Sequence, residues 1–126
     1  MISRAVTEYA RAGVAAFHIE DQLCQKRCGH LGGKQVVPID EYITRVKAAK
    51  QAKDKLRSDI TIIGRPDALQ KHGYEESIRR LQAARDAGAD VGQLEGVTSK
   101  KMARQAVRDV APMPLLLIWW SRELRL

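Results

Sequence analysis

Four short apolar runs, each preceded by a stretch with helical spacing, restrict what this chain can fold into more than any other feature. The runs are Val14 to Ile19, Ile60 to Ile63, Val91 to Leu94 and Leu115 to Ile118. The first run fits a strand buried on both faces, and the second is β-branched almost throughout, as strands favour. Between them the apolar residues recur at helical intervals. Ile2, Val6, Tyr9 and Ala10 lie on one face of residues 2–12, and Gly13 suits a stop. Ile39, Tyr42, Ile43, Val46 and Ala49 form a stripe that opens at Pro38 or Ile39, with Asp40 and Glu41 in the first turn, where the dipole favours anions. Tyr74, Ile78, Leu81 and Ala84 mark a third helix from about Gly73 to Ala87, stopped by Gly88. Met102, Ala103, Ala106, Val107 and Val110 mark a fourth, capped by Thr98 or Ser99. A long polar loop fills residues 22–37. The order is αβαβαβαβ, which predicts parallel βαβ units with right-handed crossovers. The four strands then lie side by side with the helices outside.

In such sheets ligands collect at the carboxyl ends of the strands. Three of the four strands end in a charged residue: Glu20, Arg65 and Glu95. The first end leads through Asp21 into Lys26-Arg27-Cys28-Gly29-His30, followed by Gly32 and Gly33. Cations beside a thiol lower its pKa and favour the thiolate, which can act as a nucleophile or exchange a proton near neutral pH. Glycines let backbone fold closely around a small ligand. One site can gather all of these groups, so the pattern predicts an active site. Blander readings stand beside it. The cysteine segment fits a surface loop with a chance thiol. Cys24, Cys28 and His30 make a poor zinc set, lacking a fourth ligand and a regular spacing. His18 fits a packed strand residue better than a ligand, and His72 a solvated turn. The methionines and tryptophans read as core or tail. Asp67 either orients Arg65 or caps the turn that follows it.

Charge and size narrow the function classes. The chain has 126 residues, one ordinary domain, and 44% are hydrophobic, too many for disorder. Lysine and arginine total 22 against 15 acids, a formal charge of +7. Arg45, Lys47, Lys50, Lys53, Lys55 and Arg57 spread along one helix, while Glu75 and Glu76 precede Arg79 and Arg80 by four residues. Both patterns describe solvated helix faces. With one phenylalanine and two adjacent tryptophans there is no stacking platform, so no nucleic-acid partner is expected. No apolar run approaches a membrane span. The two cysteines make no disulfide framework and suit a reducing cytoplasm. Arg4 and Arg11 faintly suggest a transit peptide, but Glu8 and the passage into a strand argue against one. A cytoplasmic place is expected, with a mitochondrial one open for an intact protein.

Several stretches, in order, resemble one family. They are Phe17-His18-Ile19-Glu20-Asp21-Gln22, Lys26-Arg27-Cys28-Gly29-His30, Gly64-Arg65-Pro66-Asp67-Ala68, Ala87-Gly88-Ala89-Asp90 and Leu94-Glu95-Gly96. The chain is similar to the isocitrate lyase / phosphoenolpyruvate mutase superfamily. It lies nearest the branch with methylisocitrate lyase, dimethylmalate lyase and oxaloacetate acetylhydrolase. The resemblance implies a Mg²⁺-dependent (or Mn²⁺-dependent) (β/α)8-barrel enzyme that cleaves or forms a C–C bond of a 2-hydroxy or 2-oxo di- or tricarboxylate. It implies Cys28 as general acid, or base in reverse, positioned by Lys26, Arg27 and His30, which with Gly29 also border the substrate. It implies Arg65 on a substrate carboxylate, Glu95 on substrate or metal-bound water, and Glu20 in the metal's first or second shell. Intact members are expected to be homo-oligomers, such as tetramers.

The match is partial. A family barrel has eight strands and about 250 residues, whereas four strands here resemble its strands four to seven. Residues 1–117 therefore read as a partial (β/α)8 barrel and residues 118–126, Ile118 to Leu126, as an atypical tail. Pro66 stands where the family usually has threonine. The missing strands would carry the aspartates closest to the metal, so the chain alone is expected to be nearly inactive. The chain is therefore expected to be a gene fragment or the product of a mispredicted gene. The run from Gly29 to Lys34 leans toward the dimethylmalate and oxaloacetate side, and an oxaloacetate acetylhydrolase-type C–C hydrolase is the alternative within the class. Outside it, a non-catalytic half-barrel or a basic anion-binding module remains.

Overall fold

The computed structural model describes residues 1–23 and 35–119. The elements follow the expected order: α1 (Ile2–Arg11), β1 (Ala16–Glu20), α2 (Ile39–Leu56), β2 (Thr61–Arg65), α3 (Leu69–Ala87), β3 (Val91–Val97), α4 (Lys100–Val110) and β4 (Leu115–Trp119). The strands form one sheet in the order β1-β2-β3-β4, every pair parallel. Each helix thus carries the chain back to the start of the next strand, the crossover that parallel pairing requires.

Side chains alternate between the faces of a strand. Ile19, Ile62 and Leu94 point to the helix side and are buried, as are Val46, Ala49, Leu81, Ala84, Ala103, Ala106 and Val110 from the helices packed there. Tyr42 is also fully buried, and burial pushes its phenol well up from the ordinary range. The other face carries Ala16, His18 and Glu20 of β1, Arg65 of β2, Gln93 and Glu95 of β3, and Leu116 and Ile118 of β4. No described helix covers it. The expectation that Val14 to Ile19 is buried on both faces is corrected: His18 of β1 is exposed, as are Leu116 and Ile118 of β4, whereas Ile63 and Gln93 on the same face of the central strands are buried. The edge strands lack a neighbour on one side, so it is there that the uncovered face opens to water.

Several helix details follow from local chemistry. Ser99 is the cap of α4, its hydroxyl accepting from Met102 N–H at 3.1 Å. Gly88 ends α3 in the left-handed region, φ +113°, which glycine enters without strain. Helix α3 begins at Leu69, earlier than the expected Gly73, because a first turn precedes a break at Gly73 (φ +82°, ψ 179°). That conformation is open essentially to glycine alone. Two expected core positions face solvent: Tyr9 and Val107 are 45% and 49% exposed. Tyr9 packs its ring on Phe17, centroids 6.0 Å apart, at the edge of the core. No helix among the described residues is long and apolar enough to cross a membrane.

Candidate active site

Register brings the charged strand ends together. Glu20 is paired across the sheet with Arg65, and both point to the uncovered face. Glu95 lies on the same face of β3, inside that strand instead of ending it, because pairing with β4 runs on to Val97 through a register shift. Arg65 stands between the two carboxylates. Its Nη1 is 3.0 Å from Glu20 Oε1 and its Nη2 donates to Glu95 Oε2 at 2.8 Å. Partial burial opposes the charge on Arg65, but the Glu95 hydrogen bond and the two carboxylates outweigh it and raise its pKa. Its Nε is buried without a hydrogen-bond partner among the described residues. Pro66, fully buried, follows directly and holds Arg65 extended.

One layer down the same face, His18 Nε2 and Gln93 Oε1 meet at 2.8 Å. His18 is thus a hydrogen-bonded strand residue, satisfied by a neighbour two strands away. His72 is exposed in the first turn of α3.

A second polar group lies behind the first, on the helix side. Asp21 follows Glu20 but turns inward and is fully buried. Its Oδ1 accepts from the Asp67 backbone N–H at 2.8 Å, and its Oδ2 lies 3.0 Å from Arg80 Nη1. Burial pushes the Asp21 carboxyl up, against the lowering effect of the Asp67 N–H and the Arg80 charge. Arg80 also donates to Val37 O at 2.8 Å, and its Nε to Glu76 Oε1 at 2.9 Å. The Asp67 carboxylate, left open between two roles by the sequence, accepts from Gln22 Nε2. Arg45 of α2 donates to Glu20 O at 3.1 Å and Gln22 O at 3.0 Å. Gln22 and Val36 form an antiparallel bridge, and Val37 N–H donates to Asp21 O at 2.7 Å. These bonds bring together the two ends of the segment that holds the thiol motif.

Lys26, Arg27, Cys28, Gly29 and His30, with Cys24, Gly32 and Gly33, lie outside the described residues, as do residues 120–126 of the expected tail. Of the other sequence-singled residues, the fold gathers Glu20, Arg65 and Glu95 into one cluster. Arg80 and Arg45 were placed on solvated helix faces by the sequence, and this is corrected: Arg80 is 6% exposed. A helical wheel carries the signal, since Arg80 falls three residues after Ser77 and four before Ala84, both fully buried.

The two carboxylates offer hard oxygen donors of the kind Mg²⁺ takes alongside several waters. Among the described residues no group of three or more acids, histidines and cysteines forms a chelating set. Glu20 and Glu95 therefore fit one side of a metal site, through water, and not a whole one. Beside them a groove of about 930 Å³ runs between α1, β1 and α2, bordered by Val6, Phe17, His18 and Glu20.

Comparison with known proteins places this geometry. All 126 residues match the phosphoenolpyruvate phosphomutase family. The chain is 42% identical over 115 residues to 2-methylisocitrate lyase of Salmonella typhimurium, covering 91% of itself and 38% of that protein. It is 38% identical over 90 residues to 2,3-dimethylmalate lyase of Eubacterium barkeri, covering 71% of itself and 30% of that protein. A crystal structure of 2,3-dimethylmalate lyase, described as a PEP mutase/isocitrate lyase superfamily member, matches with TM-score 0.87 and 57% identity over 96% of this chain and 42% of that one. Oxaloacetate acetylhydrolase in complex with 3,3-difluorooxalacetate matches with TM-score 0.84 and 59% identity, over 92% of this chain and 39% of that one. The chain spans about two fifths of these relatives, so its four parallel strands correspond to part of a (β/α)8 barrel.

Proposed function

Because the chain belongs to the phosphoenolpyruvate phosphomutase family, we propose that it carries part of the active site of a Mg²⁺-dependent C–C lyase. The substrate class is 2-hydroxy or 2-oxo di- or tricarboxylates of the methylisocitrate or dimethylmalate type. The observation that carries this reading is Arg65, placed between Glu20 and Glu95 on the uncovered face of the sheet. A guanidinium fork of that kind is matched to a carboxylate.

In this reading Arg65 binds and orients one substrate carboxylate. Glu95 accepts a hydrogen bond from a substrate hydroxyl or a water, and Glu20 faces the metal through water. Mg²⁺, when bound, would supply positive charge to the part that leaves as an oxo-acid. When the C–C bond breaks, the substrate hydroxyl loses its proton to Glu95 or a water and becomes the carbonyl of the oxo-acid, while the electron pair of the bond passes to the other fragment, an enolate-like carboxylate. Cys28 gives its proton to that carbon, with Lys26, Arg27 and His30 setting its position and charge and Gly29 bordering the substrate. The relatives' names include a hydrolase, oxaloacetate acetylhydrolase. Hydrolytic cleavage giving two acids is therefore the second reading.

The test is kinetic. The chain is assayed with Mg²⁺ and methylisocitrate, dimethylmalate or oxaloacetate. Turnover is expected to fall at least a hundredfold below that of an intact relative, since an incomplete constellation loses positioning. Turnover near the intact value would refute the near-inactivity of this chain. In an intact relative, alanine at the position of Cys28 is expected to remove roughly 10²–10⁴-fold of the rate, the usual contribution of a positioned acid. Full activity there would end the acid role.

A further inference from the structure

We propose that the buried pair Asp21–Arg80 is a positioning device for Arg65. The proposal rests on the reading of Arg65 as the carboxylate-binding group and adds how the fold aims it. Glu20 and Asp21 are consecutive and point to opposite faces of the sheet. Glu20 meets the Arg65 side chain at 3.0 Å, while Asp21 holds the Asp67 backbone N–H at 2.8 Å. The end of β1 therefore grips Arg65-Pro66-Asp67 from both faces at once, by a side chain in front and by the backbone behind.

A single hydrogen bond from a free carboxylate would fix little. Asp21 is itself fixed, because Arg80 reaches it from α3 at 3.0 Å and is anchored on Val37 O at 2.8 Å and Glu76 Oε1 at 2.9 Å. Both side chains are buried, at 0% and 7% exposure, so water does not compete for these bonds. Bidentate recognition of a carboxylate demands orientation as well as charge, and a guanidinium a fraction of an ångström out of place loses much of it. A polar pair in a core that could be apolar fits a role in orientation better than one in stability, since apolar replacement of buried ion pairs is often neutral or stabilising.

The experiment follows from that last point. Side-chain ¹⁵N NMR of the full chain reads the Arg65 guanidinium, assigned by its loss in Arg65→Lys. In the wild type its Nη protons are expected in slow exchange, because two carboxylates restrain the group. Asp21→Asn keeps an oxygen for the Asp67 N–H and is expected to keep the slow-exchange signals. Asp21→Leu with Arg80→Met replaces the pair by apolar groups of similar volume. It is expected to fold, with a dispersed methyl spectrum, and to show averaged Arg65 Nη signals. Unchanged Arg65 signals in that folded double variant would overturn the proposal. Failure of both variants to fold would overturn it too, since the pair would then be a folding element. No substrate enters this readout. The positioning role can therefore fail while the Cys28 substitution in an intact relative supports the lyase chemistry, and that chemistry can fail while the positioning role stands.

Discussion

Arg65 shows how much chemistry one residue takes from its register. Two carboxylates against one guanidinium leave the cluster with one negative charge, so its basic member is already shared before any acid substrate arrives. Glu76 is the matching case on α3, held by Arg79 at 2.8 Å and Arg80 at 2.9 Å. The Arg79 hydrogen bond, with that of Arg80, keeps its carboxyl below the ordinary 4.5 despite partial burial. A depressed folded pKa stabilises the fold above the unfolded value and loses that contribution as pH falls through the folded one. Glu76→Gln is therefore expected to cost about 1 kcal/mol at pH 7. The difference from wild type should shrink once the pH drops below 4.5 and vanish below the folded pKa. Urea denaturation of both proteins between pH 7 and 3 measures it, and a constant difference would contradict the sign. The i,i+4 pairing of Glu76 with Arg80 was legible in the sequence, but the buried partner of Arg80 was not. A charge pattern predicts a partner along its own helix, whereas Asp21 is 59 residues away and pairs only after β1 and α3 have packed.

At the scale of elements, the alternation of strand and helix was legible because apolar spacing changes period at each boundary. Ends were less so, because pairing decides them. Glu95 reads as a terminus after Val91 to Leu94, yet β3 continues to Val97 because β4 supplies partners as far as Trp119. The start of α3 was hidden for a different reason. Gly73 looks like a boundary in sequence and is a break within the element, with Leu69 to His72 forming a turn before it. That turn follows Asp67 and Ala68 directly, so the break lets the chain leave the β2 end and still align α3 with the sheet. Gly73→Ala meets no neighbouring atom within 4 Å, so its cost is conformational alone. A non-glycine residue at φ +82°, ψ 179° is expected to lose roughly 1–3 kcal/mol. Thermal unfolding against wild type measures this, and an unchanged midpoint would mean that α3 straightens without strain.

For the whole molecule, one covered sheet face explains both what was read and what was not. The apolar runs announced parallel strands, but no residue pattern says whether the second face will find a cover. Among the described residues it finds none, and β1 and β4 each keep one side without a strand partner. Leu116, Ile118 and Trp119 are 44%, 45% and 50% exposed on β4. Exposed apolar strand residues at a sheet edge are a template for association. The chain is expected to self-associate, its sedimentation coefficient rising with concentration in the micromolar range. Leu116→Thr with Ile118→Thr replaces two apolar side chains of the open face by β-branched threonines, so the strand propensity survives. Those two side chains are already about half in water, so the folded monomer should lose less than about 1 kcal/mol. The sedimentation coefficient of the double variant should then stay flat with concentration. If it still rose as the wild type does, the unpaired backbone of the β1 and β4 edges, and not the open face, would be what draws the chains together.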